Sequence, residues 1–167
     1  MSKTFAMLAA FAIALVAVTG LAQSRGGSDN LAGAWRGKVQ FATGAFAEVR
    51  DLEFMYAFGA DGTLTESSNY DAAPPVPPAY GVWKKVGVRK YEAKYQFYQS
   101  KAVSSADELV KGGGWAPAGY GTLTQKITLS ADGNAFESTI RLELFDKEGK
   151  TIAGGGDGTA SAKRLGF

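Results

Sequence analysis

Apolar and polar residues alternate with a period of two from Ala34 to near the C-terminal end, and short turn signals separate the alternating segments. Successive side chains of a β-strand point to opposite faces, so this pattern predicts strands with one buried and one exposed face. Asp61-Gly62 and Asp132-Gly133 are typical of tight hairpin turns. We therefore expect an all-β domain with eight strands: Ala34–Phe41, Glu48–Phe58, Gly62–Tyr70, Tyr80–Val86, Tyr91–Phe97, Gly119–Ser130, Phe136–Leu144 and Thr151–Leu165.

Eight strands joined mostly by short loops can close into an antiparallel up-and-down barrel, which leaves no exposed sheet edge. The proline-rich stretch at 71–79 is expected to be a loop, because Pro cannot donate a hydrogen bond to a sheet. Residues 100–118 are expected to be the longest irregular connection, with a short helix at 105–111. The glycine run 154–156 predicts a bulge or bend in the last strand.

The first 22 residues have the pattern of a secretory signal peptide. Lys3 precedes an uncharged apolar run of about 14 residues, which is shorter than the ~20 needed to span a bilayer, and Gly20 and Ala22 fit a small-x-small cleavage site. We expect cleavage after Ala22, a flexible leader at 23–30 and a barrel domain at 31–167. The protein would then be exported to the periplasm or the extracellular space, with no integral membrane span after signal removal.

The chain of 167 residues contains no Cys and no His. Cysteine nucleophiles, Ser-His-Asp triads, histidine acid–base catalysis and the usual zinc sites are therefore excluded. We expect no metal and no cofactor, and any catalysis would depend on Asp, Glu, Lys or Tyr. A net charge of +2 gives no basic surface of the kind that nucleic acids require, so a nucleic-acid partner is not expected.

Gly33-Ala34-Trp35 opens the first strand, and Arg164 lies near the end of the last. Together with the eight alternating segments, this pairing resembles the calycin superfamily of lipocalin-like barrels. In that group the Trp plugs one end of the barrel and the Arg packs over it. The resemblance implies that Trp35 and Arg164 form a structural, barrel-closing pair, and that the barrel binds a small hydrophobic molecule.

Several aromatic residues fall on the inward face of the predicted strands. They could line a ligand pocket or fill a solid core, since an eight-stranded barrel allows either. Glu66 shares that face, where burial would raise its pKa. It could bond a ligand, act as a general base, or be a structural polar group satisfied by tyrosine hydroxyls, Gln125 or water. The lumen candidates are Phe54, Tyr56, Glu66, Trp83, Tyr95, Phe97 and Gln125.

Three functions are consistent with these residues. The first is an exported binding protein for a small hydrophobic ligand. The second is a cofactor-free isomerase or cyclase that resembles the allene oxide cyclase barrels, in which Glu66 and a lumen tyrosine would supply the chemistry. The third is a structural or protein-binding barrel with a filled core. The volume of the lumen and the partners of Glu66 distinguish among them.

Overall fold

The computed structural model describes residues 29–71, 76–103, 105 and 114–166. The predicted signal peptide, most of the predicted leader and all of the predicted short helix except Ser105 lie outside these residues. The described part forms one closed antiparallel barrel in which neighbouring strands follow chain order and the last strand pairs with the first. The prediction of an all-β, eight-stranded up-and-down barrel is therefore confirmed. The strands are β1 (Gly33–Phe41), β2 (Glu53–Phe58), β3 (Thr63–Ser68), β4 (Ala79–Gly87), β5 (Lys90–Ala102), β6 (Trp115–Leu129), β7 (Ala135–Phe145) and β8 (Thr151–Arg164).

The core lies inside the barrel and is built from alternate residues of the strands, as the period-two pattern predicts. In β7, for example, Phe136, Ile140 and Leu142 are buried, whereas Glu137 and Arg141 between them are exposed. Burial of these apolar side chains contributes about 25 cal/mol per Å² of surface removed from water. No helix in the described ranges is long and apolar enough to cross a bilayer.

Two strands, β5 and β6, are longer than expected by at least three residues. The prediction of an irregular connection over 100–118 is wrong at both ends, because β5 continues to Ala102 and β6 begins at Trp115. These added residues pair with each other, and the register shifts between Gln99 and Ser100. Pro117 faces Ser100 beside this shift, in a sheet irregularity of the kind that accepts a proline inside a strand.

Two other strands are shorter than expected. β2 begins at Glu53 rather than at residue 48, and β3 ends at Ser68 rather than at Tyr70. Asn69 ends the pairing: its side chain accepts a hydrogen bond from Glu53 N at 2.9 Å and donates one to Asp51 O at 2.8 Å. Tyr70 lies in the turn that follows β3 and is 43 % exposed.

One end of the barrel is closed by Trp35, which is fully buried and donates a hydrogen bond from Nε1 to Leu31 O. The guanidinium group of Arg164 covers the indole and donates hydrogen bonds to the backbone carbonyls of Asn30, Ala32 and Gly133 at 2.6–3.0 Å. Gly33 is required here, because a Cβ at its position would lie 2.5 Å from Arg164 Nη1, and its φ of +135° disfavours other residues.

Asp29 holds the start of the described chain against this closed end. Its carboxylate forms an ion pair with Lys85 and accepts hydrogen bonds from Arg89 N and from the hydroxyl of Tyr91, both at 2.8 Å. The hydrogen bond with Lys85 is the largest cause of the lowered pKa of Asp29. Lys85 of β4 therefore has a carboxylate partner.

Candidate functional site

The barrel end opposite Trp35 contains a cavity of about 250 Å³ that opens to solvent. It lies where β1, β3 and β5 end and where β2 and β4 begin. Most of its wall is apolar, and its polar groups are concentrated on one side. The apolar wall includes Phe41, Phe46, Leu52, Phe54, Val76, Pro77, Ala79, Phe97, Leu123 and Leu142, and the polar side includes Glu66, Ser68, Asp71, Gln99 and Ser100.

Phe46 reaches the cavity from the loop between β1 and β2. Its ring packs against that of Phe41, with 5.9 Å between centroids. The loop folds on itself through a hydrogen bond from Val49 N to Phe46 O at 3.1 Å, and the Gln40 side chain donates to Phe41 O and Ala47 O. These bonds hold the loop, and with it Phe46, at the mouth of the cavity.

The same loop rests on the glycine run of β8. The register of β8 against β7 shifts opposite Leu142 and Leu144, which confirms the bulge expected at Gly154-Gly155-Gly156. Gly154 O accepts a hydrogen bond from Ala45 N at 2.9 Å, and a Cβ at Gly156 would lie 1.9 Å from Thr43 O. The bulge therefore lacks side chains where the loop backbone packs against it.

Phe97 forms the wall on β5. A Cβ at Gly121, its partner on β6, would lie 2.4 Å from the Phe97 ring, so this glycine leaves the space that the ring occupies. Phe54 lies across the cavity on β2 and packs edge-on against Tyr56 at 5.8 Å. Aromatic rings therefore reach the cavity from β1, β2, β5 and the β1–β2 loop.

Glu66 lies at the inner limit of the cavity. Strand pairing places it between Tyr56 on β2 and Ala79 on β4, and only 5 % of the residue is exposed. Its Oε1 is buried and has no hydrogen-bond partner among the described residues. Burial, followed by the charge of Asp71, raises the pKa of Glu66 well above its usual range. The structure therefore favours the neutral carboxylic acid at this position.

Asp71 is the second acidic group of the cavity and belongs to the turn after β3. Its Oδ2 accepts a hydrogen bond from Ser68 N at 2.7 Å, and burial raises its pKa. Ser100 lies on β5, and its hydroxyl is buried without a partner in the part of the chain that the structure describes. No Lys or Arg of the described residues lines the cavity, so its ionisable groups are two acids and two tyrosines.

A polar network crosses the barrel interior beside Glu66. The Tyr95 hydroxyl donates to Gln125 Oε1 at 3.3 Å, and Gln125 Nε2 donates to Ser138 Oγ at 2.7 Å. The Tyr56 hydroxyl is buried and forms no hydrogen bond of good geometry with the described residues. Burial, followed by the charge of Glu66, raises the pKa of Tyr56. The pKa of Tyr95 is raised by burial first, then by Tyr56 and Glu66.

The structure separates the lumen candidates of the sequence into three groups. Phe54, Glu66 and Phe97 line the cavity. Tyr56, Tyr95 and Gln125 lie in the filled interior beyond it. Trp83 is half-buried near the closed end, where its Nε1 donates to Gly59 O and its ring packs against Phe58 and Tyr91.

The alternation pattern did not identify Phe46, Asp71 or Ser100 as cavity residues. Phe46 and Asp71 lie in turns, where a period of two carries no information, and Ser100 follows a register shift. The only signals in the sequence are an isolated aromatic residue after Gly44-Ala45 and an acid at the start of the proline-rich stretch. No three His, Cys, Asp or Glu side chains of the described residues are grouped as metal ligands would be.

Comparison with models of known protein families, and with curated proteins, finds no match to this chain.

Proposed function

We propose that this protein binds a small, predominantly apolar molecule in the cavity at the open end of the barrel. The observation that carries the proposal is the combination of an apolar, solvent-connected cavity with one unpaired buried carboxyl group, that of Glu66. Binding sites for small molecules are typically apolar concavities with a few polar groups that fix orientation. An unpaired buried polar atom costs stability, and a ligand that bonds to it would recover part of that cost.

The volume restricts the size of the ligand. Typical pockets for drug-sized molecules occupy ~300–1,000 Å³, whereas an apolar cavity of ~150 Å³ accepts benzene. A cavity of about 250 Å³ therefore suits one aromatic ring, or an aliphatic group of similar size, with a short chain. The aromatic walls favour the same class of ligand through ring–ring contacts.

We also propose a structural relationship for this barrel and an exported location for the protein. The barrel topology and the contact between Trp35 and Arg164 support a relationship to the lipocalin-like barrels of the calycin superfamily. The composition of residues 1–22 supports export, which is tested by mass spectrometry of the N-terminus of the mature chain after expression in a bacterium. Cleavage after Ala22 supports export, and an intact N-terminus on a cytoplasmic protein contradicts it.

The direct test of binding is titration of the chain with 2-phenylethanol, monitored by amide chemical shifts in NMR spectra. We expect saturable shifts at the cavity residues of β2, β3 and β5. Ser100→Leu fills part of the cavity and removes an unpaired buried hydroxyl, so it should fold and abolish these shifts. Ser161→Leu, on the exposed face of β8, is the matched control and should bind as the wild type does.

Native mass spectrometry of the exported protein, purified without detergent, extends this test to molecules acquired in the cell. An added mass that leaves on denaturation supports a carrier. Absence of both an added mass and saturable NMR shifts contradicts the binding proposal and leaves the filled structural barrel as the better account.

A second candidate is a cofactor-free isomerase or cyclase. The observation that favours it is the raised pKa of Glu66 inside an apolar cavity, since a buried carboxyl group with a raised pKa is suited to proton transfer. A bound molecule recovered unchanged after incubation with the protein contradicts this candidate, whereas a rearranged product that Glu66→Gln fails to form supports it.

A further inference from the structure

The ionisable groups of the cavity are acidic or phenolic, and its walls are aromatic. Glu66 and Asp71 supply the two acids, and Tyr70 and Tyr98 near the opening supply the phenols. Among the described residues, no Lys or Arg side chain of the bordering strands lines the cavity. A ligand with a negative charge would therefore meet two carboxyl groups and no cation.

Glu66 carries an unpaired polar atom in this cavity. Its Oε1 is buried without a partner, and the neighbouring groups that titrate are Tyr56 on β2, Tyr95 on β5 and Asp71 after β3. None of these groups can supply a positive charge to balance a carboxylate. The site therefore lacks the counter-ion that an ionised Glu66 requires.

The aromatic wall of the cavity would suit both the apolar body and the positive charge of an organic cation. Phe41, Phe46, Phe54 and Phe97 all line the cavity. Aromatic faces attract organic cations, and the attraction increases when the cation is removed from water. A carboxylate and several aromatic rings around one small cavity together form a suitable environment for an ammonium group on an apolar body.

We propose that the ligand of this cavity is a small primary ammonium ion with one aromatic or short aliphatic group, and that its nitrogen pairs with Glu66. This inference rests on the proposed binding function and specifies the class of ligand. Binding converts the neutral Glu66 acid to a carboxylate, so the ammonium ion keeps its three protons and the carboxyl proton passes to solvent. Each binding event should therefore release close to one proton below the pKa of Glu66 in the free protein.

The test compares three probes of similar size by isothermal titration calorimetry at pH 7: 2-phenylethylamine, 2-phenylethanol and 3-phenylpropanoate. We expect the amine to bind at least about tenfold more tightly than the alcohol, because a charge-assisted hydrogen bond is roughly twice as strong as a neutral one. The carboxylate probe should bind most weakly. Titrations in two buffers of different ionisation enthalpy, repeated at pH values from 5 to 8, should show proton release with the amine that disappears as pH rises through the pKa of Glu66 in the free protein, and none with the alcohol.

Glu66→Gln keeps the shape of the side chain and removes its charge. The variant should bind the amine and the alcohol within about twofold of each other, with no proton release. Glu137→Gln, on the exposed face of β7, is the matched control and should keep the preference for the amine. Asp71→Asn should weaken amine binding by a smaller factor than Glu66→Gln does.

The outcomes separate this inference from the proposed function. If the alcohol binds as tightly as the amine in the wild type, the cavity binds ligands but the ammonium inference is wrong. The same conclusion follows from amine binding without proton release at any pH from 5 to 8, and these wild-type measurements do not depend on whether Glu66→Gln folds. If none of the three probes binds and native mass spectrometry shows no ligand, the proposed function fails and this inference fails with it.

Discussion

The guanidinium carbon of Arg164 lies 4.2 Å from the centroid of the Trp35 ring, across the seam where β8 pairs with β1. Trp35 is in turn surrounded by Leu31 and by Phe136, whose ring centroid is 5.1 Å away. The arginine therefore covers the outer side of a buried indole and ties the last strand to the residues before the first.

Arg164→Ala should lower the free energy of unfolding by about 2–4 kcal/mol, because it removes hydrogen bonds to three backbone carbonyls and the cover of the indole. Arg164→Lys should recover less than half of this loss, since one ammonium group cannot reproduce the planar fork of donors. Urea denaturation measures both. Arg141→Ala is the control: its ion pairs are exposed, so it should cost less than about 1 kcal/mol.

Glu66 should make the protein less stable as pH rises. The pKa of the folded carboxyl is raised above the ordinary value of about 4.5. The stability that protonated Glu66 contributes is therefore fully present below about pH 4.5. It is lost as pH rises toward the pKa of the folded protein. The wild type should lose up to ~1.4 kcal/mol per pH unit relative to Glu66→Gln over that window.

Urea denaturation at a series of pH values measures this difference. Glu137→Gln should show no such divergence from the wild type, because Glu137 is exposed. A wild type and a Glu66→Gln variant whose stabilities remain parallel from pH 4 to pH 8 would show that Glu66 titrates as an exposed carboxyl does.

The buried hydrogen bond from Gln125 to Ser138 should contribute more to stability than the hydroxyl of an exposed serine does. Ser138→Ala leaves Gln125 Nε2 buried without its acceptor and should cost about 1–3 kcal/mol. Ser161→Ala removes a hydroxyl from the exposed face of β8 and should change stability by less than about 0.5 kcal/mol. Equal effects in thermal denaturation would mean that Gln125 finds another partner.

Gly156→Ala should displace the loop that carries Phe46. A Cβ there would lie 1.9 Å from Thr43 O, so the loop backbone must move, at a cost of about 1–3 kcal/mol. The binding of 2-phenylethanol should weaken as well. Gly87→Ala is the matched control, because its Cβ would lie 3.6 Å from the nearest side-chain atom; thermal denaturation should show a change within ~0.5 kcal/mol. Unchanged stability and binding in Gly156→Ala would show that the loop does not depend on the bulge.

The sequence predicts the barrel and the burial of Glu66 well, because side-chain direction along a strand is a local property with a period of two. Strand ends are less predictable, and Pro117 shows why: a residue that normally ends a strand is accepted beside a register shift. The cavity is the least predictable part. Phe46 and Asp71 reach it from turns, and the position of Phe46 depends on contacts between a loop near residue 45 and glycines more than 100 positions later.

The pairing of Trp35 with Arg164 also fixes where the two ends of the described chain leave the barrel. Asp29 and Leu165 both lie beside the closed end, on the far side from the cavity. A tag, a linker or a solid support joined at Asp29 or at Leu165 would therefore be anchored at the base of the barrel. The opening would point outward and stay accessible, so the protein could be immobilised without covering the cavity.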